Sequence, residues 1–140
     1  MSRVDFYVLT ASGELARHQF ACRLAEKAYK LKHPVHIRAA DADSARRLDD
    51  LLWTFRDGSF VPHEIVGQGA VESPVTIASE DTLPQERHLL INLGEAIPEQ
   101  AASFPRIAEI VSADDECKER SRQRFVDYRE QGHTLDTHNI

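Results

Sequence analysis

The chain has 140 residues, 41% hydrophobic and 29% charged, with 17 Lys and Arg against 23 Asp and Glu for a formal net charge of -6. This composition belongs to an ordinary globular protein and excludes a disordered or collagen-like one; the length predicts one domain, residues 1–140, with a core that needs no staples. The acidic balance argues against a dedicated duplex-DNA binder, because counterion release rewards an excess of Lys and Arg on the binding face.

The opening residues MSRVDFYVLTASGELARH lack the apolar stretch of a signal peptide. Nowhere does a run of about 18 apolar residues occur that could span a bilayer, so a cytoplasmic protein is expected. Val4–Leu9 (VDFYVL) mixes β-branched, aromatic and aliphatic residues before the turn TASG and predicts a first strand. Residues 14–32 (ELARHQFACRLAEKAYKLK) repeat apolar positions at Leu15, Cys22, Ala25 and Tyr29, which predicts a helix closed by KHP. VHIRA (Val35–Ala39) reads as a second strand and Asp41–Phe55 (DADSARRLDDLLWTF) as a second helix, acidic at its start.

Residues 56–73 carry glycines, a proline and no helical period, and predict a long, partly extended loop. PVTIAS and RHLLINLG read as two further strands around a polar turn, Arg106–Ser112 (RIAEIVS) as the final strand, and Cys117–Gly132 as the last helix. Strands alternating with helices predict an α/β fold: one mostly parallel sheet flanked by helices, Rossmann-like in outline. The nucleotide motifs of that outline are missing. No GxxxxGK[ST] is present, GQG at 67–69 lacks a third glycine and a strand-to-helix setting, and TASGEL has one glycine.

Other chemistry is equally sparse. Cys22 and Cys117 form no CxxC pair and read as reduced, partly buried thiols. The seven histidines match no metal signature, so no metal and no cofactor are expected. Asp41, Asp43 and His63 could stand together at the strand ends for acid/base work, which leaves a small α/β enzyme as an alternative.

The last helix is the unusual segment, with five basic residues in an acidic chain. At roughly 100° per residue and with Lys118 as zero, Arg122 falls at about 40°, Phe125 at about -20° and Arg129 at about 20°. Cys117, Ser121 and Tyr128 occupy another sector, at about 260° to 300°, and are expected to face the core. Arg120 and Arg124 are off the stripe and expected as ordinary surface. Cations around an aromatic edge suit a peptide carrying acids and an aromatic; a solvated face with Phe125 at a core edge is the plain alternative, and direct binding of single-stranded nucleic acid is a third. Trp53, Phe55 and Phe60 form a second concentration, either a buried loop anchor or an exposed anchor for another protein.

FYVL in the first strand, ARRLDDLLWTF followed by SFVPH, LLINL, and KERSRQRFVDYREQG together resemble the chi subunit family of bacterial DNA polymerase III over nearly the whole chain. The resemblance implies a noncatalytic accessory subunit whose α/β fold is related to nucleotide-binding folds. It implies two partners: the psi subunit, which links chi to the clamp loader, and the acidic C-terminal tail of single-stranded DNA-binding protein. A tail pocket is implied on the last helix at Lys118, Arg122 and Phe125. The family commonly has tyrosine and then a basic residue where this chain has Phe125 and Val126, a change that lowers affinity or shifts work to Arg124 or Arg129. The psi contact is implied at Trp53 and Phe60, with Val61 and Pro62 beside them.

Overall fold

The computed structural model describes residues 2–66 and 73–140, so the GQG tripeptide lies outside the described residues. VDFYV falls in strand β1 (Arg3–Val8), where alternate side chains enter two covered faces: Val4, Phe6 and Val8 join one apolar cluster and Tyr7 the other. The described elements that follow are α1 (Glu14–Lys30), β2 (Val35–Arg38), α2 (Ala42–Thr54), β3 (His63–Ile65), β4 (Val75–Ala78), β5 (Leu89–Asn92), a 3-10 turn (Ala101–Ser103), β6 (Arg106–Val111), α3 (Asp115–Glu130) and β7 (Thr134–Asn139). One seven-stranded sheet results, in the order β3-β4-β2-β5-β6-β1-β7, with every pairing parallel. This is the expected α/β architecture.

Both faces of the sheet are covered at its centre, which is why β4 and β5 are buried throughout rather than at alternate positions, with Thr76 and Asn92 as their polar members. On one face Ala21, Cys22 and Ala25 of α1 and Ala45, Leu48 and Leu52 of α2 pack on Ile37, Ile77, Ile91 and Ile110. On the other, α3 and the 3-10 turn pack on Val4, Phe6, Leu90 and Ile107. Both cysteines are free and buried, and burial pushes the Cys22 thiol up to about 12.

Two expectations need correction. The segment expected as a long, partly extended loop contains a regular element, β3, a three-residue edge strand paired with β4. Arg106–Val111 is not the last strand: β7 follows α3 and pairs with β1. Its sequence TLDTHN has too little apolar character to signal a strand, because it lies at an edge and is held by polar contacts. His138 Nε2 lies 2.8 Å from Oδ1 of the buried Asp5, and Arg3 pairs with Asp136 at 3.1 Å.

The attachment of α3 is largely polar. Glu109 of β6 is 0% exposed. Its Oε1 accepts from Arg124 Nε at 3.0 Å, while Oε2 accepts from the Tyr128 hydroxyl at 2.7 Å and Asn92 Nδ2 at 2.8 Å. The guanidinium donates further to the Glu95 carbonyl at 3.0 Å and to Ser121 Oγ at 3.2 Å. Cys117, Ser121 and Tyr128 face inward as expected, but Arg124 joins them instead of lying on the surface. The helical wheel had room for this, since Arg124 falls at about 240°, beside Cys117 at about 260°. The overlooked signal was Glu109 in the middle of an apolar strand, where a buried carboxylate requires a partner.

Removing one member of that network leaves the other charge buried and unpaired. Arg124→Met is expected to lower stability by about 3 to 5 kcal/mol, and Arg124→Met with Glu109→Leu to recover much of the loss, both read by urea unfolding. A second prediction concerns pH. His36 of β2 is buried, with Nδ1 2.7 Å from Thr76 Oγ1. Burial, and to a lesser extent Arg38 and Arg87, push its pKa from 6.5 down to about 4. Between those values the unfolded chain binds a proton that the folded one does not, so stability is full above pH 6.5 and falls as pH drops to about 4. The expected loss is roughly 3 kcal/mol. His18, His88 and His133, also held low chiefly by burial, act in the same direction. Unfolding curves across this window should be flatter for His36→Gln than for the wild type.

Candidate functional site

The network beneath α3 leaves its flank facing β1 and β7 open. There Lys118, Ser121, Arg122, Phe125 and Val126 of α3 meet Phe6 and Val8 of β1, Val111 of β6 and Thr137 of β7 around a groove of about 510 Å³. Phe125 is half-buried, its ring centroid 5.3 Å from that of Phe6, so it forms part of the groove while anchoring in the core. Lys118 and Arg122 are the charged residues of this lining, and no carboxylate joins them. Arg122 rests on Glu119 at 3.0 Å, with both side chains more than 70% exposed. Such an exposed pair is worth about 0 to 1 kcal/mol and exchanges readily for a stronger acceptor.

Lys118, Arg122 and Phe125 are therefore brought together as the spacing predicted. Arg129 is exposed but does not line the groove, and Arg124 is committed to Glu109. Arg120 lies 3.7 Å from Glu95. The basic run is thus dispersed: one member buried, two cations in the groove and two elsewhere on the helix. The strand residues of the groove were not legible locally, because Phe6, Val111 and Thr137 meet only through the sheet order.

The second aromatic concentration is also a surface. Trp53 is 51% and Phe60 66% exposed, their ring centroids 5.7 Å apart, and Trp53 covers the buried His63 at 4.4 Å. Phe60 is not a buried anchor; Val61, fully buried, fills that role, and Pro62 is partly buried. Ile65, 41% exposed, lies on the same face of β3 as His63 and was not singled out from sequence.

The acid/base cluster does not assemble. Asp41 caps α2, accepting from the Ser44 N–H at 2.7 Å, and Asp43 pairs with Arg46. His63 lies with Nδ1 2.6 Å from the Val61 carbonyl and Nε2 3.0 Å from that of Asp49. Among the described residues no group of three or more His, Cys, Asp or Glu is placed to hold a metal ion. The start of α1, where a nucleotide-binding relative would place phosphate, meets the chain's own carboxylate: Gly13, at φ 94°, donates its N–H to Asp114 Oδ2 at 2.8 Å. That bond, followed by one from Ser112, holds the Asp114 carboxyl below the usual carboxylate range. The adjoining crevice sets Glu14, Asp114, Asp115 and Glu116 against Arg17 and Arg120, of which Arg17 already pairs with Glu14, so its balance disfavours an anion. No helix among the described residues is long and apolar enough to cross a membrane.

Residues 1–136 match the family model described as DNA polymerase III chi subunit, HolC. The chain is 39% identical over 140 residues to the DNA polymerase III subunit chi of Pseudomonas aeruginosa, covering 100% of this chain and 98% of that protein. It is 34% identical over 139 residues to the protein of that name from Haemophilus influenzae, covering 97% of this chain and 96% of the relative. With the Escherichia coli subunit chi the identity is 32% over 143 residues, covering 98% of this chain and 97% of that protein. Matched over nearly its whole length at these identities, the chain belongs to the DNA polymerase III chi subunit family of replication accessory subunits.

Proposed function

We propose that this chain is a noncatalytic adaptor of the polymerase III holoenzyme. The α3 groove takes the acidic C-terminal tail of single-stranded DNA-binding protein, and the Trp53–Phe60 surface takes the psi subunit, which carries the connection to the clamp loader. One observation carries the tail reading: Lys118 and Arg122 converge on an apolar groove whose lining has no carboxylate. A flexible tail with several acids and a terminal apolar residue fits that combination. The guanidinium of Arg122 can exchange Glu119 for a tail carboxylate bidentately, while Phe6, Phe125 and Val126 receive the apolar side chain. Arg124, tied to Glu109, contributes by fixing the helix rather than by touching the tail. Phe125 keeps the aromatic contact without a hydroxyl, and Val126 makes the groove more apolar.

The test is calorimetric titration with a synthetic acidic tail peptide. Arg122→Ala is expected to weaken binding by about 1.5 to 3 kcal/mol, and rising salt to weaken the wild-type interaction moderately. Unchanged affinity in the variant removes Arg122 from the site. The sheet order generates a second expectation. The Trp53–Phe60 surface adjoins β3 and the groove adjoins β7, at opposite edges. Six strand spacings separate those edges, roughly 29 Å at about 4.8 Å each. The tail peptide is therefore expected to bind with the same affinity, within about twofold, whether or not psi is bound. Competition between the two in a titration would refute this arrangement.

A further inference from the structure

The charges around the Trp53–Phe60 surface specify the chemistry of its partner. Trp53, Phe60 and Ile65 supply an exposed apolar centre. Asp49 and Asp50, four and three residues before Trp53 on α2, lie beside it on the helix surface. The Asp49 carboxylate is 3.3 Å from Nε2 of His63, whose ring Trp53 covers. Asp57 is exposed in the turn that leads from α2 to Phe60. Of the nearby arginines, Arg46 pairs with Asp43 and Arg56 with Glu26, while Arg47 is exposed three residues before Asp50. Asp49, Asp50 and Asp57 thus outnumber Arg47, so an apolar centre with a rim that is acidic on balance stands on α2, where the α3 groove has an apolar floor and a cationic rim.

Resting on the reading of this surface as the psi site, we propose that the docking segment presents apolar anchors flanked by Lys or Arg side chains. The apolar residues bury Trp53 and Phe60, as interface centres do. The flanking cations meet Asp49, Asp50 and Asp57, which speeds encounter and fixes orientation. The same charges sort the two partners: an acidic tail meets carboxylates at α2 and cations at α3, while a basic segment meets the reverse. Each surface thus rejects the other's ligand by like-charge contact, although both have apolar centres.

The experiment titrates the full chain with the psi subunit of the same replisome in about 50 and about 500 mM NaCl, using wild type, Trp53→Ala, Asp50→Asn and Asp50→Lys. Asp50 is exposed, so its variants should fold, which circular dichroism checks. Trp53→Ala is expected to lose most of the binding. Asp50→Asn should weaken it about threefold and Asp50→Lys about tenfold or more at low salt, while wild-type affinity falls about tenfold across the salt range. If Trp53→Ala loses binding but salt and Asp50→Lys leave it unchanged, psi docks here through a neutral segment and the proposal is overturned while the psi reading stands. Tighter binding by Asp50→Lys overturns it as well, by identifying an acidic partner. Wild-type affinity in Trp53→Ala removes psi from this surface altogether, and both readings fall.

Discussion

The buried carboxylate of Glu109 is the constraint on which the candidate groove depends. Beneath α3 it is cut off from water and needs donors from the protein, and Arg124, Tyr128 and Asn92 supply three. Two of these are on α3, one turn apart, so satisfying the carboxylate fixes both the rotation and the longitudinal position of the helix. Apolar packing is more permissive than a set of directed bonds. With Arg124 and Tyr128 facing inward, helical geometry directs Lys118, Arg122 and Phe125 toward the β1–β7 flank. The groove is thus a consequence of how one acid in β6 is neutralised.

The sheet order separates the two candidate surfaces. α1 and α2 cover one face and α3 the other, and the aromatic surface and the groove adjoin opposite edges of the seven-stranded sheet. Neither surface uses the strand-end position at which related folds hold nucleotides. There, Asp114 caps Gly13 and joins the starts of α1 and α3 through the protein's own anion. The two candidate surfaces lie instead on a helix flank and at the end of a helix.

The sequence made legible whatever depends on local period. The mix of β-branched, aromatic and aliphatic residues in VDFYVL, the strand segments PVTIAS and RHLLINLG, and the wheel positions of Cys117, Ser121 and Tyr128 all found their structural counterparts. The stripe of Lys118, Arg122 and Phe125 was visible for the same reason. Pairings across distance were not. β7 is a strand because β1 has an open edge and Asp5 awaits His138, facts that TLDTHN does not contain. Arg124 resembles its surface neighbours until Glu109 is seen to need a partner from another element. Phe60 and Val61 are adjacent loop residues of similar apolar character, and only the tertiary packing decides that Val61 is buried and Phe60 exposed.

The position of β1 has a consequence for the order of events during synthesis. β1 is made first among the strands, yet its two sheet neighbours are β6 and β7, roughly a hundred residues or more further along the chain. Until they emerge, an apolar strand has no ladder to join, and closing so long a loop costs entropy before any contact repays it. The nascent chain must therefore carry VDFYV unpaired while the β2, β4 and β5 half of the sheet can already assemble. The groove, with walls on β1, β6, α3 and β7, is among the last features to exist. A ligand for that groove meets only chains whose sheet is complete.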